Sequence, residues 1–133
     1  MSEAHDLLSN LEAALEAFNR NDIDALSSYV AADVTYTIHG RAAVSGTYRG
    51  VEGFRRALTS VKALTDGTLQ VHPEVLLAGH DSVMAYMRVT GTRAGGRSYH
   101  SHQAYLYRFR DGKLIEGQTI PVDQRAFEEF FKE

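Results

Sequence analysis

The residues best suited to chemistry lie in one run of β-prone sequence, RSYHSHQAYLYRFRDGKL, at positions 97–114. Side chains alternate between the two faces of a strand, so Tyr99, Gln103, Tyr105 and Tyr107 share one face. Phenol and amide groups in an apolar cavity can hold a carbonyl oxygen or stabilise a developing oxyanion. The alternative is that Tyr105 is an amphipathic core tyrosine whose hydroxyl is satisfied within the protein.

The opposite face of this run carries His100 and His102, two residues apart, a spacing that could chelate a metal ion. No carboxylate or third histidine evidently converges on the pair, and we predict no metal site. The same face carries Ala104 and Leu106. This mixture favours a solvated or interfacial pair of histidines.

Two further residues could handle charge or protons. Arg88 shares strand parity with Tyr86 and Thr90, and a guanidinium in a cavity could bind a carboxylate or stabilise an enolate. An ion pair with Asp or Glu at a strand end explains Arg88 equally well. His39 closes the first predicted strand, and imidazole is the usual side chain for proton transfer near neutral pH. A solvated loop histidine is the alternative.

The elements that must position these side chains are helical in the first half of the chain and strand-rich in the second. Apolar spacing predicts a helix over 4–19, a short helix capped by Asp22, a strand over 33–38 and a third helix over 52–64. The segment HGRAAVSGTYRG is predicted as a glycine-bearing loop. Glycine-containing turns then separate four predicted strands and precede a last helix capped by Asp123; the strands lie near 68–78, 81–93, 97–110 and 113–122.

This order predicts an α+β fold in one domain spanning residues 1–133. Long antiparallel strands tend to curl, so we expect a curved, mostly antiparallel sheet wrapped around three N-terminal helices. Such a sheet leaves a cone-shaped cavity that is suited to a small molecule.

Composition excludes several classes of function. The chain has 14 basic and 17 acidic residues, a net charge of −3, which argues against a nucleic-acid partner. It has no cysteine, so disulfides and thiolate chemistry are excluded. No apolar run reaches membrane-spanning length and no secretory signal is visible, so we expect a cytoplasmic protein without a membrane partner.

Four segments resemble a known family in their order and spacing: AFNRNDIDALSSYVAADVTY, SGTYRGVEGFRRAL, YRFRDGKLIEG and PVDQ. They are similar to the nuclear-transport-factor-2-like superfamily, in its SnoaL-like, ketosteroid-isomerase-related branch. The resemblance implies a cystatin-like α+β roll and a cofactor-free isomerase, cyclase or dehydratase that acts next to a carbonyl. The fold also hosts non-catalytic binding modules, so a ligand-binding or dimerisation module is the alternative.

Active sites of similar enzymes do not transfer whole to this chain. Where steroid isomerases carry a tyrosine and two acidic residues, the chain has Ala14, Ile38 and Tyr105. Where limonene-type epoxide hydrolases carry Arg, Asp and Asp, it has Arg88, Thr90 and Thr119. The resemblance places both Tyr105 and Arg88 on the concave face of the sheet.

These considerations define the expected site. The predicted catalytic residues are Tyr105, Arg88 and His39. The predicted ligand is small and apolar or carbonyl-bearing, it needs no cofactor, and it contacts Tyr36, Ile38, Tyr48, Tyr86, Gln103, Tyr107 and Thr119. The outer sheet face, with His100, His102, Ala104 and Leu106, is expected to form a homodimer.

Overall fold

The fold is built from four helices and six strands within the described part of the chain. The computed structural model describes residues 3–93 and 95–132. In chain order the elements are α1 (Glu3–Asn19), α2 (Ile23–Ser27), β1 (Val30–Ile38), β2 (Gly46–Arg49), α3 (Gly50–Leu64), β3 (Gln70–Ala78), β4 (Ser82–Thr92), β5 (Ser98–Arg110), β6 (Lys113–Pro121) and α4 (Gln124–Phe130).

The strands of the described residues form one curved sheet in the order β2–β1–β6–β5–β4–β3. β1 and β6 run parallel, while the other neighbouring strands in this part of the chain run antiparallel. The predicted α+β architecture with a mostly antiparallel sheet is confirmed.

The sequence prediction was wrong at one edge of the sheet. β2, Gly46–Arg49, lies inside the segment predicted as loop and pairs with the end of β1. Four residues are too few for alternation to be visible in a sequence. β1 also begins at Val30, earlier than predicted. Its first residues do not alternate between buried and exposed positions, and its pairing with β6 is irregular between Val30 and Thr35.

Strand alternation gives the sheet a buried face and a partly exposed face. On β5 the side chains of Tyr99, Gln103, Tyr105, Tyr107 and Phe109 are buried, as the sequence predicted for their shared parity. On β4 the buried positions have odd numbers; they are Val83, Ala85, Met87 and Val89. The helices cover this buried face.

The helices are placed by apolar stripes and by side-chain caps. α3 turns Phe54, Leu58 and Val61 toward the core. Asp22 accepts a hydrogen bond from the Ala25 amide at 3.0 Å, and the predicted caps of α2 and α4 are both confirmed. Among the described residues, no helix is both long enough and apolar enough to cross a membrane.

Helix α4 closes one end of the core and is fixed at both of its ends. Its N-terminus is capped by Asp123, which accepts from the Ala126 amide at 3.0 Å. Near its C-terminus, Arg93 Nη1 donates to the Phe130 carbonyl at 2.8 Å and Arg97 Nη1 donates to the Glu129 carbonyl at 2.9 Å. Cations at a helix C-terminus satisfy carbonyls that lack helical partners.

One lysine is buried in this core. Lys62 is 7% exposed, its Nζ donates to the Leu69 carbonyl at 2.5 Å, and it lies 3.9 Å from the centre of the Phe18 ring. Burial disfavours the charged form and lowers the pKa of Lys62 from 10.5 to about 8.

We expect the free energy of unfolding to rise between about pH 8 and pH 10, by up to about 1.4 kcal/mol per pH unit. In that window the unfolded chain keeps a proton on Lys62 that the folded chain has lost, so raising the pH favours folding. Above pH 10 the trend should reverse, because burial raises the pKa of Tyr36 and Tyr99 to about 12, and these phenols ionise first in the unfolded chain. Urea denaturation at stepped pH measures both limbs.

Lys62→Met should flatten the rise between pH 8 and pH 10, whereas Lys132→Met, at an exposed position, should leave it intact. A rise that persists in Lys62→Met would show that another group causes it.

Candidate functional site

An apolar cavity of about 100 Å³ lies between the buried face of the sheet and the helices. That is several times the roughly 10–15 Å³ that one water molecule requires. α1, α3 and α4 contribute aliphatic and aromatic side chains such as Leu11, Phe54 and Phe127. No Asp, Glu, His, Lys or Arg is among the described residues that line it. The cavity therefore suits a molecule with a largely apolar body.

Most of its polar groups come from the sheet, and three of these are phenols that form a cluster. Tyr36, Tyr105 and Tyr107 line the cavity, and the rings of Tyr105 and Tyr107 stack with centroids 5.8 Å apart and planes 7° apart. The Tyr36 hydroxyl lies 2.7 Å from Thr119 Oγ1. Burial raises the pKa of Tyr36 to about 12 and the pKa values of Tyr105 and Tyr107 well above 10. All three phenols are hydrogen-bond donors at physiological pH.

A glycine lies between two of these phenols in the sheet. Gly117 of β6 pairs with Tyr36 on one side and with Tyr107 on the other. A Cβ atom at Gly117 would lie 2.6 Å from the Tyr36 ring, closer than two carbon atoms can approach. The absent side chain therefore makes room for the Tyr36 ring.

Tyr105 belongs to a hydrogen-bonded chain along β5. The Tyr99 hydroxyl donates to Gln103 Oε1 at 3.2 Å, and Gln103 Nε2 donates to the Tyr105 hydroxyl oxygen at 2.9 Å. Gln103 lines the cavity, whereas Tyr99 lies behind it against α4. The sequence placed Tyr99 on the correct face, but its role beside Gln103 depends on side-chain reach and was not predicted.

Tyr107 is different, because its hydroxyl forms no hydrogen bond with any described residue. Tyr107 is only 6% exposed. Every fully buried side-chain nitrogen or oxygen among the described residues has a partner. The unpaired hydroxyl must therefore reach open space, and the space that Tyr107 borders is the cavity.

Six of the expected site residues line the cavity together. They are Tyr36, Ile38, Gln103, Tyr105, Tyr107 and Thr119. They come from β1, β5 and β6, which are neighbours in the sheet. Residues from the helices, such as Phe18 and Phe54, were not predicted to line it, although their apolar helical spacing marked them as inward-facing.

The expectation that Arg88 and Tyr86 face the cavity was wrong. Arg88 pairs with His102 and Tyr86 pairs with Ala104, so both side chains lie on the outer face. There Arg88 Nε lies 3.9 Å from Glu74 Oε2, and the Tyr86 ring stacks on His102 with centroids 4.7 Å apart. The register explains the error, since Tyr105 is opposite Ala85 and cannot share a face with Arg88.

Two other expected residues also lie outside the cavity. His39 is exposed, and its Nε2 lies 2.8 Å from Gln118 Oε1. Tyr48 donates its hydroxyl to the Val44 carbonyl at 2.7 Å, a contact within the segment that leads into β2. The buried positions at the end of β1 are Val34, Tyr36 and Ile38, so Ile38 is the last inward residue and His39 follows the strand at an exposed position.

A polar recess adjoins the cavity beside the β5–β6 turn. Asn10 and Phe109, together with Gly112 of that turn, border the cavity and also this recess, which is about 580 Å³ in volume. Other residues of the recess include Asp6, Ser9, His80, Asp81 and Asp111. A molecule that reaches the cavity from this side passes carboxylates before it meets the apolar walls.

Solved structures share this fold along nearly their whole length. A protein named Bal32a, from a soil-derived mobile gene cassette, aligns with a TM-score of 0.93 at 23% identity over 98% of this chain and all of its own. TerC, co-crystallised with polyporic acid, aligns with a TM-score of 0.84 at 22% identity over 95% of this chain and 98% of its own. A protein of Jannaschia sp. CCS1, assigned by name to the SnoaL-like polyketide cyclases, aligns at 0.83 and 15% identity, over 98% of this chain and 95% of its own.

Sequence comparison points in the same direction. Uncharacterized proteins of Mycobacterium bovis and Mycobacterium tuberculosis are 31% identical over 116 residues, which cover 86% of this chain and 88% of theirs. The family model for the SnoaL-like domain matches residues 11–117, from the cavity side of α1 to the glycine beneath Tyr36. The chain therefore belongs to the SnoaL-like domain family.

Proposed function

We propose that this protein binds a small apolar molecule in the cavity and holds one oxygen atom of it at the phenol cluster of Tyr36, Tyr105 and Tyr107. The observation that carries the proposal is the Tyr107 hydroxyl, which lacks a partner among the described residues and opens onto an otherwise apolar cavity, although the residue as a whole is only 6% exposed. A hydrogen bond from this hydroxyl to a ligand oxygen would contribute about 0.5–1.5 kcal/mol to binding.

The same contacts suit chemistry next to a carbonyl. Phenol donors that meet a carbonyl oxygen stabilise the negative charge that develops on it during enolisation or ring closure. Exclusion of water by the apolar walls strengthens this interaction. Tyr105 and Tyr107 would be the catalytic residues of a cofactor-free isomerase, cyclase or dehydratase, with Ile38, Gln103 and Thr119 completing the contact surface. Names of SnoaL-like polyketide cyclases among the structural neighbours support this class of reaction.

A second candidate is non-catalytic binding. It is favoured by the lining itself, since none of the described residues around the cavity is a carboxylate or an imidazole that could accept a proton. A catalyst would then depend on the substrate or solvent for its base. The two candidates differ in whether a bound ketone is activated or only held.

Acetophenone in D₂O distinguishes the two. If the protein is an enzyme of the proposed class, proton NMR should show that it accelerates the exchange of the methyl protons, and a Tyr105→Phe, Tyr107→Phe double variant should lose the acceleration. Exchange at the rate of buffer alone, with acetophenone bound, would leave the binding function and reject the catalytic one.

Binding itself is tested by removing one oxygen atom. Tyr107→Phe should weaken acetophenone binding about 3- to 10-fold, the value of one net hydrogen bond, and leave the melting temperature nearly unchanged. Tyr105→Phe should weaken binding and also lower stability, because Gln103 loses its acceptor. Tyr48→Phe, outside the cavity, is the control. Calorimetric titration that finds no acetophenone binding to the native protein would contradict the proposal.

We further propose that the outer sheet face joins two copies of the chain. All the large apolar side chains that are exposed among the described residues occupy this face or continue it past β6; they are Val75, Leu77, Met84, Tyr86, Ile120 and Val122. Half-buried Ala104 and Leu106 complete the patch between them. The Glu74–His102 hydrogen bond and the Arg108–Glu116 ion pair border it, and an apolar centre with a polar rim is typical of an interface.

Met84→Lys should convert the dimer to a monomer in sedimentation velocity while leaving acetophenone binding unchanged, because Met84 lies on the face opposite the cavity. Thr59→Lys, on the exposed side of α3, adds the same charge and should leave the dimer intact. A native protein that sediments as a monomer at high concentration would rule out this assembly. A cytoplasmic location remains part of the proposal.

A further inference from the structure

A chain of three buried polar side chains runs along β5 from the end covered by α4 to the cavity. Tyr99, Gln103 and Tyr105 are 4%, 4% and 6% exposed. The Tyr99 hydroxyl donates to Gln103 Oε1, and Gln103 Nε2 donates to the Tyr105 oxygen. All three have the same strand parity, so their side chains follow one another on the buried face.

Both hydrogen bonds of this chain of side chains point from Tyr99 toward Tyr105, and the contact at Tyr99 determines that direction. A carbonyl oxygen can only accept, so the Tyr99 proton must be the one used in the contact with Gln103 Oε1. The Ser101 side chain interacts with Tyr99 and partly opposes the burial that raises the pKa of Tyr99 to about 12. In the reversed arrangement, the Tyr99 proton would lose the amide oxygen as its acceptor and would be left with the weaker Ser101 hydroxyl oxygen.

The ring of Tyr99 is held so that it cannot turn away. It stacks on Phe130 with centroids 5.0 Å apart and makes edge contacts with Phe127 at 6.3 Å and Phe131 at 5.9 Å. These rings belong to α4 and the residue after it, which Arg93 and Arg97 anchor through the helix carbonyls. The position of the Tyr99 hydroxyl, to which Gln103 Oε1 is hydrogen-bonded, is therefore set from outside the cavity.

The direction of the chain decides what Tyr105 offers at the cavity. Its oxygen already accepts the Gln103 proton, which leaves the Tyr105 proton free to be donated. No described residue accepts that proton, and the Tyr105 side chain borders the cavity. Successive hydrogen bonds polarise one another, so the chain also makes the Tyr105 hydroxyl a stronger donor than an isolated phenol.

We propose that the Tyr99–Gln103–Tyr105 chain makes the cavity selective for a ligand whose oxygen accepts hydrogen bonds and carries no proton, such as an aryl ketone, with Tyr99 acting as a positioning residue that never touches the ligand. The inference rests on the proposed binding function and adds to it the class of oxygen that is bound. A ketone oxygen has two lone pairs, which match the free protons of Tyr105 and Tyr107. An alcohol also brings a proton of its own, for which the phenol oxygens of Tyr105 and Tyr107 are only weak acceptors. The Asn10 amide also borders the cavity, but it lies beside the β5–β6 turn.

Three compounds of nearly the same shape test the selectivity: acetophenone with a ketone, 1-phenylethanol with a hydroxyl, and ethylbenzene with neither. Calorimetric titration of the native protein should give the tightest binding for acetophenone and the weakest for ethylbenzene, with about a 10-fold span or more. The carbonyl stretching frequency of bound, ¹³C-labelled acetophenone should lie below its value in an apolar solvent, because hydrogen-bond donors weaken the C=O bond.

Tyr99→Phe should reduce the preference for acetophenone over ethylbenzene about 3-fold or more and return the carbonyl frequency toward its apolar value. The affinity for ethylbenzene should not change, because the cavity walls are intact. The freed Gln103 oxygen can then accept the Tyr105 proton and withdraw it from the ligand. Tyr48→Phe is the matched control and should alter neither quantity.

Gln103→Glu provides a second, opposite test. A carboxylate accepts from both Tyr99 and Tyr105, so the Tyr105 oxygen would present lone pairs instead of its proton. The preference should shift from acetophenone toward 1-phenylethanol. This shift in Gln103→Glu would support the role of the hydrogen-bonded chain in selectivity even if Tyr99→Phe folded poorly.

The outcomes separate the two proposals. Equal affinity of the native protein for all three compounds would overturn the inference and leave the cavity as a binding site. Failure of all three to bind would overturn the proposed function and the inference with it. A carbonyl frequency that is identical in the native protein and in a correctly folded Tyr99→Phe variant would show that Tyr99 only supports the fold.

Discussion

The pairing register of β4 and β5 decides which side chains reach the cavity. The two strands pair without interruption from Ser82 opposite Arg108 to Thr92 opposite Ser98. A slip of one residue would exchange the faces of one strand relative to the other, which would bring the Arg88 side into the cavity or expose Tyr105. The buried residues Val83, Ala85, Met87 and Val89 oppose that slip, because it would place them in solvent or move polar groups into the core.

The cavity is a compromise between apolar lining and polar contacts. A buried hydroxyl is costly unless it is hydrogen-bonded, and most of those in this core are. Tyr36 is paired with Thr119, and Tyr99 and Tyr105 are joined through Gln103. Tyr107 is the exception on the cavity wall. Its hydroxyl is therefore the one to which the proposed function assigns a ligand oxygen.

The charged side chains of the described residues lie outside the cavity, because burying an unpaired charge costs even more than burying a hydroxyl. Arg88 lies on the outer face near Glu74, and His39 is exposed beside Gln118. Lys62 is buried but does not line the cavity. It packs against the ring of Phe18, which does. Membership of the SnoaL-like family therefore accounts for the fold that encloses the cavity, while any chemistry depends on the few polar atoms of the lining. Ile38, Tyr105 and Thr119 line the cavity and contribute no carboxylate to it.

The sequence by itself determined the elements and the composition of each strand face. Helical spacing, glycine-containing turns and strict alternation on β5 predicted the α+β order and correctly grouped Tyr99, Gln103, Tyr105 and Tyr107. These are local properties, because periodicity within one element follows from backbone geometry. The short strand β2 escaped prediction, since four residues carry too little periodic signal.

Only the tertiary structure decided how those faces combine. Alternation divides β4 into two sets of residues, but the long-range pairing with β5 determines that the set with Ala85 is inside and the set with Arg88 is outside. The contact between Tyr36 and Thr119 joins residues 83 positions apart. The unpaired state of Tyr107 depends on every side chain around it, and so does the burial of Lys62. Such facts belong to the packed arrangement, because no local pattern specifies which distant atoms come within hydrogen-bonding distance.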